Sequence, residues 1–381
     1  MDTLIQLPDA RSPTLYLTHP TASEFKTIYS LSFLAWGDAL SLPQYLEESV
    51  FLTTIPLAKD DGMHVWMLTD RTISPDHRPI LCSCETFRKR AFVTDTQGQF
   101  SEMIIYGIAS VFCNPKYRGR GFAARLMRQL AIMLPNWQVA SRRCIGSVLY
   151  SDIGKTYYAN LGWHPFPVNT HIEIDPKGAP MTSQARKLLA GDLGQLCKDD
   201  EALIQKAMTS TSNCKIRMML VPDLDHMQWH HGKEEFASDK LFGKQPQVKG
   251  AMAGKPGNRV WAIWTHRFYG DPESASSDNT LYILRVVVEK EKADTVQREM
   301  QAKQMQAVLK AAQIEAAEWQ LHSVKMWHPA HLVRELVERA GVQYRNVDRE
   351  QDSIASLLWY GEGSGKEDTL EWIGNEHYGW C

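Results

Sequence analysis

The chain has 381 residues, 44% of them hydrophobic and 23% charged, the balance of a soluble globular protein long enough for two cores. A formal net charge of −2 lacks the basic excess that neutralising phosphates demands, which excludes a nucleic-acid binder, and no apolar run approaches membrane-spanning length. Seven cysteines without a CxxC pair, several inside apolar runs (Cys82, Cys113, Cys144), read as free thiols of a reducing compartment. With the polar opening Met1-Asp2-Thr3-Leu4, they predict a cytoplasmic protein.

In chain order, residues 15–17 begin a strand. Residues 21–36 then show helical spacing, with Thr21 as N-cap and Glu24 three places on, the signature of a capping box. A second helix is expected over 44–52, followed by strands at 65–68, 80–91 and 103–113. The last of these hands over, through Arg118-Gly119-Arg120-Gly121-Phe122-Ala123, to a helix over 121–134 with apolar residues at Phe122, Leu126 and Leu130. A glycine turn that opens a helix leaves several N–H groups unpaired in front of the positive end of the helix dipole, which makes a pyrophosphate cradle. The P-loop and dinucleotide patterns are both excluded by spacing: there is no Gly-x-x-x-x-Gly-Lys-Ser/Thr, and neither a third glycine nor a downstream acid.

The pattern Arg118-x-x-Gly121-x-Ala123 after Val111-Phe112-Cys113-Asn114-Pro115 resembles the coenzyme A signature of GNAT acyltransferases. About thirty residues on, a buried strand over 144–150 leads through Ser151-Asp152-Ile153-Gly154 into a short helix over 155–161. There Tyr157-Tyr158-Ala159-Asn160-Leu161-Gly162-Trp163 matches the second unit of the same fold. The runs 106–112, 147–155 and 375–381 narrow the likeness to the fungal lysine N6-acetyltransferase-like family. The resemblance implies an α+β chain of α/β/α GNAT type, with a mixed, mostly antiparallel sheet and a central splayed strand pair. Residues 1–175 would form the catalytic domain, ending with a strand at 171–174, and the Pro/Gly-rich 175–182 the linker.

Residues 183–381 partly repeat the order: a helix at 199–208, strands at 260–267 and 281–288, a long helix at 293–318, a strand at 323–327 and a helix at 330–340 stopped by Gly341. No glycine cradle follows the 281–288 strand, so this half reads as a degenerate GNAT-like accessory domain, with a plain α+β domain as the alternative. The Gln/Ala/Lys/Glu-rich 295–318 reads as a long solvated helix. His226, His230 and His231 lack zinc-ligand company and are expected in a surface loop or substrate wall; no metal is expected.

The resemblance implies acetyl-CoA as co-substrate. Val111, Phe112 and Cys113 would meet the pantetheine arm by strand addition, and Arg118, Gly119, Arg120, Gly121, Phe122 and Ala123 the pyrophosphate, with Lys155 beside them. An amide near Cys113 would hold the oxyanion, while Cys113 itself, with no histidine beside it, is expected to pack. By the family pattern Tyr158 returns a proton to the thiolate, and its neighbour Tyr157 belongs to the core. A lysine-like amine, with a pKa of about 10.4, must lose a proton before attack, and Asp152, Glu102 and Glu85 are the carboxylates available. The family's glutamate position is Ile105 here, so the base stays open. Trp36, Asp38, Glu85 and Arg88 are the candidates for binding the acceptor. The expected partner is a small-molecule amine, lysine first and a fungal secondary-metabolite amine next. A non-catalytic acyl-CoA-binding scaffold is the rival from another class.

Overall fold

The computed structural model describes residues 8–139, 142–178, 183–210, 215–272, 274, 278–363, 365, 366 and 368–380. The first half runs β1 (Leu15–Thr18), α1 (Ala22–Trp36), α2 (Leu42–Leu52), β2 (Met63–Asp70), β3 (Cys82–Thr94), β4 (Phe100–Cys113), α3 (Phe122–Met133), β5 (Cys144–Ser151), α4 (Thr156–Ala159), β6 (His164–Pro165) and β7 (Thr170–Ile174). The second continues with β8 (Arg186–Leu188), α5 (Ala190–Thr209), β9 (Ile216–Leu220), α6 (Leu224–Phe242), β10 (Gly250–Ala253), β11 (Val260–Arg267) and β12 (Thr280–Val288). It ends with α7 (Thr295–Glu318), β13 (Ser323–Trp327), α8 (His331–Ala340), β14 (Arg345–Asp348), β15 (Ile354–Trp359) and β16 (Leu370–Trp372).

Two mixed sheets result. One follows β1-β2-β3-β4-β5-β15-β6, with β9 paired to β3 and β16 to β9; the other follows β14-β7-β13-β12-β11-β10-β8. Each contains one parallel pair that opens like a wedge. Pairing of β4 with β5 stops at Ile108 and Leu149, and pairing of β12 with β13 stops at Ile283 and Met326. The repeated order expected of the second half is therefore present, splay included.

The strand expected to close the first sheet does not lie in it. β7 pairs with β13 and β14 in the second sheet, and β15 from the C-terminal half takes the vacant place beside β5 (Leu357 opposite Val148). Local chemistry explains the exchange. In His164-Pro165-Phe166-Pro167 two prolines lack ladder donors, so β6 ends after two residues and the chain leaves the sheet. The apolar Ile354-Ala355-Ser356-Leu357-Leu358-Trp359 then covers the edge of β5. A core shared by both halves follows, with Phe92, Ile105 and Val148 packed in one cluster with Trp261, Ile263 and Tyr378.

Two other expectations change. α7 is not solvated: Met305, Val308, Leu309, Ala312 and Ala316 pack under the second sheet, alanines giving the close approach that larger residues would block. The histidines lie not in a loop but on α6, where His226, His230 and His231 are buried; His226 Nδ1 is 2.7 Å from Asp223, His230 Nε2 3.2 Å from the Tyr378 carbonyl and His231 Nε2 2.9 Å from that of Trp264. Among the described residues no group of three His, Cys, Asp or Glu side chains forms a metal site, and no helix is long and apolar enough to cross a membrane.

Candidate active site

The cradle is formed as its sequence requires. Gly119 (φ 76°) and Gly121 (φ 82°) both occupy the left-handed region that favours glycine, and Gly121 is the N-cap of α3. A Cβ on Gly119 would meet no protein atom within 4 Å and one on Gly121 only Ala10 at 3.5 Å, so the space in front of the loop is open. No side chain caps the first turn of α3, whose amides are thus available to an anion, and Phe122, Leu126, Met127 and Leu130 bury its other face. These features fit a coenzyme pyrophosphate.

Beyond Ile108 the edge of β4 toward β5 is unpaired, as strand addition by a pantetheine arm requires. Cys113 departs from expectation, because its carbonyl accepts from Arg118 Nε (3.1 Å), whose guanidinium also lies 5.6 Å from the Phe112 ring. Arg118 therefore braces the strand end, while Arg120 stands exposed. The Cys113 thiol contacts the Leu81 carbonyl (3.5 Å), consistent with packing. A bulge in β4 sets Ser110 and Val111 against Cys84 alone, with Ser110 at φ 51°. Such bulges re-aim a strand, and this one turns the Ser110 hydroxyl onto Glu85 Oε2 (3.0 Å).

A cavity of about 200 Å³ opens at this bulge. Glu85, Ser110, Val111, Asp152 and Tyr158 line it from the first half together with Tyr29, Trp36, Tyr45 and Glu48 from the two opening helices; Trp229, Lys233, Arg267 and Trp380 close it from the second. The helices reach it for local reasons. Thr21 and Glu24 cap α1 reciprocally (3.1 and 2.9 Å), the Glu24 carboxylate also holds Arg78 in a buried ion pair (2.7 Å), and this fixes the face that carries Tyr29. Along α2, Tyr45, Glu48, Ser49 and Leu52 form the inward stripe.

The predicted site residues separate on this map. Glu85 is buried in the cavity wall and accepts from the Tyr29 hydroxyl (2.5 Å) as well as from Ser110. Burial raises its carboxyl above the ordinary range, against the lowering effect of those two hydrogen bonds. Tyr158 is buried at the same cavity, its phenol raised by desolvation and so held protonated, and its hydroxyl has no hydrogen-bond partner among the described residues. Tyr157 is half-buried and packs against the core cluster that holds Tyr158 and Trp163. Asp152 sits at the rim, raised by the protein around it, and accepts from the Ser353 amide (2.9 Å). Trp36 meets Phe112 edge-on, and Asp38 pairs with Arg267 (2.6 Å).

Three candidates lie elsewhere. Glu102, at the opposite end of β4, joins Arg90 (2.7 Å) and Arg142 (2.9 Å) in a network with Glu201 and Asp223 at the joint between the halves; Arg90 lowers its carboxyl, the reverse of what a base needs. Arg88 is absent from the cavity lining, one residue out of phase with Phe87 and Lys89 on a strand whose side chains alternate. Lys155 pairs with Glu350 (2.8 Å).

The second wedge has a different occupant. Glu376 accepts from the Val286 amide (3.0 Å) and pairs with Arg285, and His377 stacks on Tyr282 (ring centroids 4.0 Å apart). The chain's own C-terminal segment thus enters the gap, and Lys89 Nζ, donating to the Gly379 carbonyl (2.6 Å), leads it on toward the first-half cavity where Trp380 stands. At the N-terminus of α7, Asp294 caps the Gln297 amide (2.9 Å) where a cradle would need an open, anion-accepting turn.

A family model described as the LYC1 GNAT-like C-terminal domain matches residues 169–381, more than half of the chain. The chain belongs to this LYC1-like GNAT family. The match begins one residue before β7, the strand that crosses into the second sheet. The chain is similar to a protein named lysine acetyltransferase from Yarrowia lipolytica (24% identity over 64% of this chain and 70% of that protein). It is also similar to an uncharacterized protein of Saccharomyces cerevisiae (21%, over 62% and 68%). Its fold is similar to that of the Saccharomyces cerevisiae N-myristoyltransferase solved with bound myristoyl-CoA, at 8% identity and a TM-score of 0.52, over 92% of this chain and 79% of that one. The α+β GNAT fold and the acyltransferase class read from the motifs both hold for this family member.

The sequence reading missed most of the cavity's far wall. Arg267 ends an apolar strand, Trp229 and Lys233 belong to a helix whose buried face is largely polar, and Trp380 lies in the tail. The available signal was polar and aromatic residues at positions where helical and strand periodicity called for aliphatic ones.

Proposed function

We propose that this protein is an acetyl-CoA-dependent N-acetyltransferase of a small primary amine, with free lysine the first acceptor and a secondary-metabolite amine the second. The observation that carries the reading is the pairing of a buried carboxyl, Glu85, and a protonated phenol, Tyr158, on the walls of one small cavity at the unpaired edge of β4. Acetyl-CoA supplies the activated acyl group. Glu85, held by Tyr29 and Ser110, takes the proton that the acceptor ammonium must lose; Tyr158 gives its proton to the departing sulfur; backbone amides at the bulge face the developing oxyanion. Asp152, raised at the rim, is a second stop for the outgoing proton. A cavity of about 200 Å³, closed by the second half, suits an acceptor of amino-acid size better than a protein segment, and the lysine acetyltransferase name of the Yarrowia relative points the same way.

The test is a screen of free amines with acetyl-CoA that follows released thiol, run on the full chain. Turnover with lysine or another small amine is expected. Tight acetyl-CoA binding without turnover of any amine would favour the scaffold reading instead.

A further inference from the structure

Arg267 is a buried cation of the cavity wall that the proposed chemistry leaves unused. It comes from the second half, at the end of β11, and reaches the wall shared by this cavity and a small annex of about 20 Å³. Its Nη2 pairs with Asp38, yet its buried Nε–H has no acceptor among the described residues. The guanidinium lies over the rings of Tyr269 (5.3 Å) and Trp380 (5.2 Å), which shield it from water. A buried guanidinium donor without an acceptor is costly, and its natural partner is the planar oxygen pair of a carboxylate. Around it the charges alternate, since Lys233, 3.3 Å from Glu48, lines the same wall. Two cations face Asp38 and Glu48, while the third carboxylate of the annex, Glu234, is already held by Lys249 and His266; that arrangement suits a zwitterion, and a phosphate dianion would leave Asp38 and Glu48 opposing it.

Building on the acetyltransferase reading above, we propose that Arg267 selects acceptor amines that carry a carboxylate, receiving it on its guanidinium while Asp38 and Glu48 face the neighbouring α-ammonium, so that the distal amine is directed to Glu85 and Tyr158. The second half then contributes substrate choice to a reaction carried out on the first.

The experiment compares L-lysine with 1,5-diaminopentane, the same chain without the carboxylate, in the full-length wild type, Arg267→Gln and Arg267→Lys. Steady-state kinetics and calorimetric binding of lysine to protein loaded with coenzyme A are read together. The wild type is expected to prefer lysine in kcat/KM, and Arg267→Gln to shrink that preference about 30-fold or more, through KM rather than kcat. Arg267→Lys, which keeps the charge without the planar fork, should restore it only in part. If Arg267→Gln does not fold, as its melting curve would show, the Arg267→Lys ratio decides alone. Equal use of both amines by the wild type, or an equal loss for both in the variants, overturns the selection role while leaving acetyl transfer standing. Lysine binding that depends on Arg267 without turnover would uphold the carboxylate site and overturn the enzyme reading; absence of lysine binding would overturn the site.

Discussion

Glu85→Gln separates the proposed proton acceptor from the structure around it. The substitution keeps the size of the side chain and both local hydrogen bonds: the amide oxygen accepts from Tyr29, and the amide nitrogen donates to Ser110, whose hydroxyl can turn. Stability should therefore change by no more than about 1 kcal/mol. The sign of its pH dependence is fixed by the raised carboxyl. A buried group whose folded pKa lies above its unfolded one favours the fold while protonated, and that contribution is lost as pH rises through the folded value. The variant, never charged, should gain in relative melting temperature between pH 4 and 8. Catalysis should move the other way. Loss of the acceptor removes about 10²–10⁴ in kcat, or about 3–5 kcal/mol of barrier. In the wild type the rate should fall on the acid side as Glu85 protonates. In the variant that limb should vanish, leaving a rate that climbs with the free-amine fraction toward the lysine pKa of about 10.4. Released thiol at saturating acetyl-CoA and amine, from pH 5 to 9, is the assay. Wild-type kcat with the acid limb retained would refute the assignment.

Four further outcomes are expected. Gly121→Val should abolish coenzyme binding with the fold intact, because it places a β-branched residue at φ 82° and fills the cradle; unchanged affinity in a calorimetric titration would remove the pyrophosphate site. Tyr158→Phe should lower turnover about 10²–10⁴-fold with coenzyme affinity nearly constant, and wild-type turnover would leave Tyr158 as packing beside Trp163. Lys89→Met frees the Gly379 carbonyl and loosens the tail that carries Trp380, so KM for the amine should rise about 10-fold while coenzyme affinity holds; an unchanged amine KM would show that the tail does not shape the cavity. Arg78, with the Thr21 and Asp76 amides, holds the Glu24 carboxyl down at about 2, so these contacts together contribute about 3 kcal/mol above the unfolded pKa, lost as pH falls toward 2. Glu24→Gln should accordingly lower the melting temperature at pH 7, with the gap closing in acid.

What the sequence determined by itself was local. The capping box at Thr21 and Glu24, the glycines at 119 and 121, the amphipathic spacing of α3 and the Tyr158 motif each act within a few residues, where backbone sterics and side-chain reach leave few choices. From these the GNAT fold could be read, together with the glycine loop and the tyrosine on which the proposed chemistry rests. Carboxylates were harder, because a charged strand residue looks the same in sequence whether it meets water, an arginine or a cavity. Only the packing of α1 against β3 buried Glu85 beneath Tyr29, while the pairing of β3 with β4 set Glu102 beside Arg90 and the joint with the second half added Glu201 and Asp223 to that network. The exchange of β7 and β15 was likewise beyond local reach. A strand's apolar edge specifies that it needs a partner but not which, and residues 164–167 and 354–359 find their places through contacts about 200 positions apart in the chain. The truncation at residue 182 that a two-domain reading suggests would therefore strip β9 and β15 from the sheet that carries the glycine loop. The same long-range packing brings Arg267 and Trp380 to the cavity, so the wall proposed to receive the acceptor exists only in the folded whole.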